Sequence, residues 1–86
     1  MYEDNDIRIA ILRKLWKHRY IGARHTSFDN LPKGFPQHNK KEVKKIAKKL
    51  IKEGYLISKP TSYGLEVSLN PKMLEEIKKI IKDQVL

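Results

Sequence analysis

The sequence predicts a mainly helical α+β fold with a small β-hairpin, in the order helix, helix, helix, strand, strand, helix. Three observations carry that prediction. Apolar residues recur at helical spacing around Val43 and again around Ile77. The period then changes to two at Leu65, Val67 and Leu69, which alternate with Glu66 and Ser68. Gly22, Gly54 and Gly64, with Pro32, Pro36, Pro60 and Pro71, fall where elements must end or turn. The 86 residues suffice for one small domain spanning the chain, with its core over about 7–69 and a C-terminal helix over about 71–83.

The first helix is expected from a cap at Asn5 or Asp6, with Ile7, Ala10, Ile11, Leu12, Leu15 and Trp16 as its buried stripe and an end near His18. Thr26, followed three residues later by Asp29, reads as the cap of a short second helix that Pro32, Gly34 and Pro36 hold to a turn or two. Asn39 with Glu42 is a capping-box spacing, so the third helix starts there and runs to Gly54, which suits the left-handed position after a helix. Tyr55 to Lys59 has strand composition, Pro60 to Gly64 a turn, and Leu65 to Leu69 a second strand; the two pair as a hairpin that must lie against the helices. Asn70 and Pro71 are a cap and first-position pair for the last helix, whose apolar side is Met73, Leu74, Ile77, Ile80 and Ile81. That side is wide enough for either a single-chain core or the seam of a homodimer.

Composition narrows the function classes. A hydrophobic content of 40% in periodic clusters argues against disorder, and the absence of cysteine excludes a disulfide scaffold or a Cys-based zinc site, in keeping with a reducing, cytoplasmic location. No apolar run is long enough to span a membrane, and the acidic start MYEDNDIR is unlike a signal peptide, so the mature chain is expected to start at Met1. The net charge of +9 is uneven: Arg8 to Leu65 carries fifteen Lys or Arg against three acids. That asymmetry calls for a polyanionic partner.

The charge concentrates on the third helix. From Lys40 to Lys52 there are seven lysines and one glutamate, while Val43, Ile46, Ala47, Leu50 and Ile51 form the buried side. At 100° per residue, Lys41, Lys45, Lys48 and Lys52 form a ladder directly opposite that side. Five lysine pairs stand four residues apart, and like charges at that spacing cost about 0.2–0.5 kcal/mol each, so roughly 1–2.5 kcal/mol opposes the helix at low salt. A merely solvated face is the alternative, but mixed charges would serve solubility better. Phosphates would relieve the repulsion, and counterion release would supply salt-sensitive affinity. The helix has no Arg, Gln or Ser, so bidentate base reading is weak.

Three helices followed by a two-stranded wing is the winged helix-turn-helix arrangement. LIKEGYLISKPTSYGLEVSLN resembles the end of the recognition helix and the wing of small archaeal winged-helix proteins, and HTSFDNLPKGFPQHNKKEVKK is similar to uncharacterised members of that group. The resemblance covers roughly Ile7 to Ile81, and its L-x-x-x-G-x-L core is Leu50, Gly54 and Leu56. It implies double-stranded DNA binding by a regulator or chromatin-associated factor, with the third helix in the major groove and the wing tip on the backbone or minor groove. Carried over residue by residue, the contacts are Lys41, Lys44, Lys45 and Lys48 on the helix and Lys59, Thr61, Ser62 and Tyr63 at the wing. Lys40 and Lys52 extend the helical set. Asn39, at the helix start, either caps or reaches a base. Arg19, Arg24 and His25 flank the short second helix, where amides freed by a Thr26 cap suit a phosphate.

Other chemistries lack their residues. His18, His25 and His38 have spacings that match no compact metal motif, so neither metal nor cofactor is expected. No nucleophile with a neighbouring base, phosphate-binding glycine loop or acidic pair appears, so an enzyme is not expected. The competing reading is a winged-helix adaptor that binds RNA or protein.

Overall fold

The computed structural model describes residues 3–82. They form a compact α+β arrangement of three helices and a three-stranded antiparallel sheet, with a Cα radius of gyration of 12.1 Å that matches the ~12 Å expected for this length. Helix α1 (Asp4–Lys17) begins earlier than a cap at Asn5 or Asp6 would allow. Glu3 is the N-cap, and the Asp6 carboxylate accepts its N–H at 3.3 Å. Ile7, Ile11, Leu12 and Leu15 enter the core as expected; Ile9 is buried as well, whereas Ala10 and Trp16 are only half-buried. The helix closes through Arg19, whose φ of 59° is unusual for a non-glycine residue. Tyr20 N–H donates to Leu15 O at 2.9 Å and Arg19 N–H to Trp16 O at 3.0 Å, satisfying two terminal carbonyls.

The expected second helix is replaced by a strand and a turn. Thr26–Ser27 form β1, and the helical part shrinks to one 3-10 turn at Phe28–Asn30. Ser27, not Thr26, caps that turn: its hydroxyl accepts from Asp29 N–H at 3.2 Å. The Thr26 hydroxyl instead accepts from Asn30 Nδ2 at 3.0 Å, while its backbone pairs opposite Val67. A β-branched residue beside an open strand edge gains more from the ladder than from a cap, and the prolines stop the turn from propagating. A second 3-10 turn, Gln37–Asn39, leads directly into helix α2 (Lys40–Lys52).

Asn39 therefore does not cap with its side chain. Its backbone is already helical (φ −98°, ψ −8°), it is buried, and no capping hydrogen bond forms. The far end of α2 closes as expected: Gly54 has φ +88°, its N–H donates to Ile51 O at 3.1 Å, and Tyr55 N–H donates to Leu50 O at 3.1 Å. The chain then enters β2 (Leu56–Thr61), a two-residue turn at Ser62 and Tyr63, and β3 (Gly64–Leu69). The turn is shorter than the expected Pro60 to Gly64 because Pro60 is itself a strand residue, paired with Leu65; β2 lies at the sheet edge, where a missing N–H is tolerated.

Strand order is β1-β3-β2, so β3 is central. Leu56, Val67 and Leu69 face the core, while Ser27, Ile57, Lys59, Glu66 and Ser68 lie on the outer side by strand alternation. The segment after α1 locks onto the end of β3: Leu69 N–H donates to Tyr20 O at 2.8 Å and Gly22 N–H to Leu69 O at 3.0 Å. Asn70 caps the last segment as expected, accepting from Lys72 N–H at 3.0 Å, but Pro71–Met73 is a 3-10 turn and helix α3 proper is Leu74–Lys82. The expected end at Asp83 lies outside the described residues. Ile77 is fully buried, and Met73, Leu74, Ile80 and Ile81 pack against the core from partly exposed positions. Among the described residues no helix is long and apolar enough to cross a membrane.

Candidate nucleic-acid interface

Helix α2 buries Val43, Ile46, Ala47 and Leu50 against α1 and the sheet, and that burial fixes where its lysines point. Lys41, Lys45, Lys48 and Lys52 are exposed on the opposite face, and among the described residues none of them is in an ion pair. The three other lysines of the helix have different surroundings. Lys40 is drawn inward, its Nζ donating to Pro32 O at 3.1 Å, so it holds the preceding loop rather than joining the ladder. Lys44 sits 3.3 Å from the Asp29 carboxylate, an exposed pair whose side chains keep 49% and 79% of their accessibility; such a pair contributes at most about 1 kcal/mol and yields readily to a phosphate. Lys49 lines a groove of mixed charge with Asp4, Asn5, Arg8 and Glu53.

The loop before α2 is organised by a residue that the sequence pattern did not single out. Lys14, on α1, donates to Asn30 O at 2.8 Å and Lys33 O at 2.8 Å, with a longer approach of 3.5 Å to Leu31 O. Partial burial pushes its pKa below the ordinary lysine range, and the positive charges of Lys33 and Lys40 push in the same direction. Its position beside Ile11 and Leu15 hints at partial burial, but nothing in the local sequence reveals which carbonyls it meets. Lys14 and Lys40 together collect the carbonyls of Asn30, Pro32 and Lys33, backbone groups that a longer helix would have satisfied internally.

The hairpin brings the proposed wing residues together at one end of the sheet. Thr61 is committed to the turn: its hydroxyl donates to Gly64 O at 2.7 Å and accepts from Tyr63 N–H at 3.2 Å. That leaves Ser62 and Tyr63 as the outward groups of the tip, and the Tyr63 side chain is 97% exposed. Lys59 is exposed but stands opposite Glu66 in the strand register, so part of its charge is opposed.

Arg24 and His25 precede β1 and the single 3-10 turn at Phe28–Asn30 rather than an α-helix capped by Thr26. His25 Nδ1 lies 2.5 Å from Glu66 Oε1, tying the entry to β1 onto the central strand, and both side chains are partly covered. Arg24 is exposed, with its guanidinium 5.4 Å from the centre of the Tyr20 ring. Neither residue is brought into the ladder. Asn39 is turned inward with its Oδ1 buried and unpartnered, so it does not present an amide to a base. Among the described residues there is no group of three or more His, Cys, Asp or Glu able to hold a metal ion. In comparisons with family models, curated proteins and solved structures, nothing matches this chain significantly.

Proposed function

We propose that the chain is a cytoplasmic winged helix-turn-helix domain that binds double-stranded DNA, with α2 against the duplex and the β2–β3 hairpin as its wing, acting as a regulator or chromatin-associated factor. One observation carries the reading: four exposed lysines, Lys41, Lys45, Lys48 and Lys52, share one helix face without a partnering carboxylate among the described residues. A helix whose opposite side is fully committed to the core has no internal use for that charge, and phosphates are the ligands that repay it. Lys44 joins when Asp29 releases it. The strand order β1-β3-β2, with the hairpin directly after α2, supports the winged arrangement. The absence of Arg and Gln from α2 favours sequence-tolerant binding over recognition of a fixed operator.

The experiment is a titration of labelled duplex at several salt concentrations. Four phosphate contacts give a slope of log affinity against log salt of about −3.6, and changing Lys41, Lys45 and Lys48 together to Ala removes about 2.7 of it, or about 100-fold in affinity near 0.15 M salt. Unchanged affinity in the triple variant sinks the proposal. Tight binding of structured RNA with feeble duplex binding moves the reading to the winged-helix adaptor for RNA or protein. A homodimer through α3 is a secondary proposal, carried by the groove of about 290 Å³ lined by Trp16, Lys78, Ile81 and Lys82; sedimentation showing a strict monomer at high concentration removes it.

A further inference from the structure

We infer that Tyr63 is a base-stacking site, and that the hairpin tip directs the domain to duplex DNA containing an unstacked base, such as a mismatched or unpaired nucleotide. The inference rests on the DNA-binding reading and narrows it to a class of substrate.

The first observation is how the aromatic rings of the described residues are distributed. Phe28 is buried, and Trp16, Tyr20, Phe35 and Tyr55 all pack against the core cluster. Two of these rings also carry a guanidinium: Arg24 lies 5.4 Å from the Tyr20 ring centre and Arg8 lies 4.9 Å from that of Tyr55. Tyr63 is different: at 97% exposure both faces of its ring are open. An aromatic face left in water is a large apolar area whose burial awaits a partner.

The second observation is the mount. Ser62 and Tyr63 form a two-residue turn closed by the Thr61–Gly64 pair, and the Thr61 hydroxyl bonds both Tyr63 N–H and Gly64 O. Pro60 stiffens the strand leading into the turn, and the following strand is the central one of the sheet. The backbone beneath the ring is thus ordered before any ligand arrives, so docking costs little beyond the freedom of one side chain.

The third step is chemical. A phosphate needs only a hydroxyl or a cation, which Ser62 and Lys59 already supply; a π-face adds the capacity to stack on a nucleobase. Forcing a side chain between two stacked bases of an intact duplex costs more than one ring's stacking returns. A base that is already unstacked removes that cost, so the gain is selective for such sites. The positive ladder on α2 supplies the general attraction to the duplex, and Tyr63 supplies the discrimination.

The test uses the full chain and two duplexes of equal length, one continuous and one with a 2-aminopurine in a central mismatch. Wild type is expected to bind the mismatched duplex about 5- to 150-fold more tightly, the range that alanine substitution of stacking aromatics gives, and to quench the 2-aminopurine emission. Tyr63→Phe keeps both effects. Tyr63→Ala, at a position outside the core, keeps the circular dichroism of wild type but loses the preference between the two duplexes and the quenching. The Lys41, Lys45 and Lys48 triple variant loses affinity for both duplexes and keeps their ratio. Binding of the continuous duplex without any preference, or a preference that survives Tyr63→Ala, overturns the stacking site and leaves the DNA reading standing. Failure of wild type to bind either duplex overturns both.

Discussion

Replacing Lys14 by Met removes an ammonium that bonds loop carbonyls while keeping most of the aliphatic stem. Two of its contacts are short, 2.8 Å to Asn30 O and 2.8 Å to Lys33 O; the third, 3.5 Å to Leu31 O, is too long to count. At a net of about 1 kcal/mol for each short bond, the gross loss is about 2 kcal/mol. Against it stands the relief of a charge that is partly desolvated and repelled by Lys33 and Lys40. The expected net loss is about 1–2 kcal/mol, a fall of about 4–16 °C in the melting midpoint of a domain this size. The pH dependence has a definite sign. The folded-state pKa is lowered, so the unfolded chain holds the proton more tightly, and the penalty on the charged form is complete below the folded pKa and fades as pH rises toward the ordinary lysine range near 10.4. Wild type therefore gains stability over Lys14→Met as pH rises from 8 to 10.5, a neutral amine still having two donors for the two short contacts. Urea melts of both proteins across that range measure the gap. A gap that narrows at alkaline pH, or a variant as stable as wild type at pH 8, refutes the reasoning. Because this ammonium is engaged by loop carbonyls, the salt slope of duplex binding is expected to stay as in wild type.

Two further substitutions test the local geometry. Asn39→Ala removes a buried Oδ1 without a partner, so denaturant melts are expected to show a change under about 0.5 kcal/mol or a gain, whereas loss of a true N-cap costs about 1 kcal/mol. Gly22→Ala places a methyl at 3.2 Å from Pro71 Cγ on a backbone with φ +61°, and the expected loss is about 1–2 kcal/mol; a neutral result means that the joint between the chain after α1 and the start of the last helical segment is not rigid.

The parts of the fold legible in the sequence are those where local chemistry and tertiary packing agree. Val43, Ile46, Ala47 and Leu50 have helical spacing and are buried by a helix; Leu65, Val67 and Leu69 alternate and lie in a strand; Gly54 and Asn70 sit at a helix end and start for reasons visible within four residues. The segment 26–39 fails that test. Thr26 and Asp29 have capping spacing, but the decisive partner of Thr26 is Val67, forty-one residues away, and no local rule sees an open strand edge. Asn39 fails for the opposite reason. Its capping-box spacing with Glu42 is sound, yet a preceding 3-10 turn puts its backbone into helical geometry and turns its side chain inward. At the interface, the ladder was legible because helix geometry alone separates it from the core, whereas the roles of Lys14, Lys40 and Thr61 depend on where carbonyls from other segments come to rest.

The lysines of this chain thus divide into two kinds of work, and the division bears on how α2 tolerates its charge. Lys40 spends its ammonium on the Pro32 carbonyl and Lys44 sits beside Asp29, so both members of the first lysine pair of the helix have a partner, and only four of the five i, i+4 pairs oppose each other without such relief at both ends. The unrelieved repulsion falls on the stretch from Lys41 to Lys52, which is also the stretch backed by the buried Ile46, Ala47 and Leu50. Burying a side chain such as isoleucine or leucine gains about 1.5–3 kcal/mol, which exceeds the roughly 0.2–0.5 kcal/mol of each repulsive pair. The core can therefore hold a face of like charge in place with no help from counter-charges on the protein. A ladder kept in that condition is poised to gain from any surface that presents phosphates at its spacing, and it gains in proportion to the contacts made, independently of base sequence. On the proposed DNA-binding reading, selectivity comes from somewhere other than α2, and the hairpin tip is where an open aromatic ring stands.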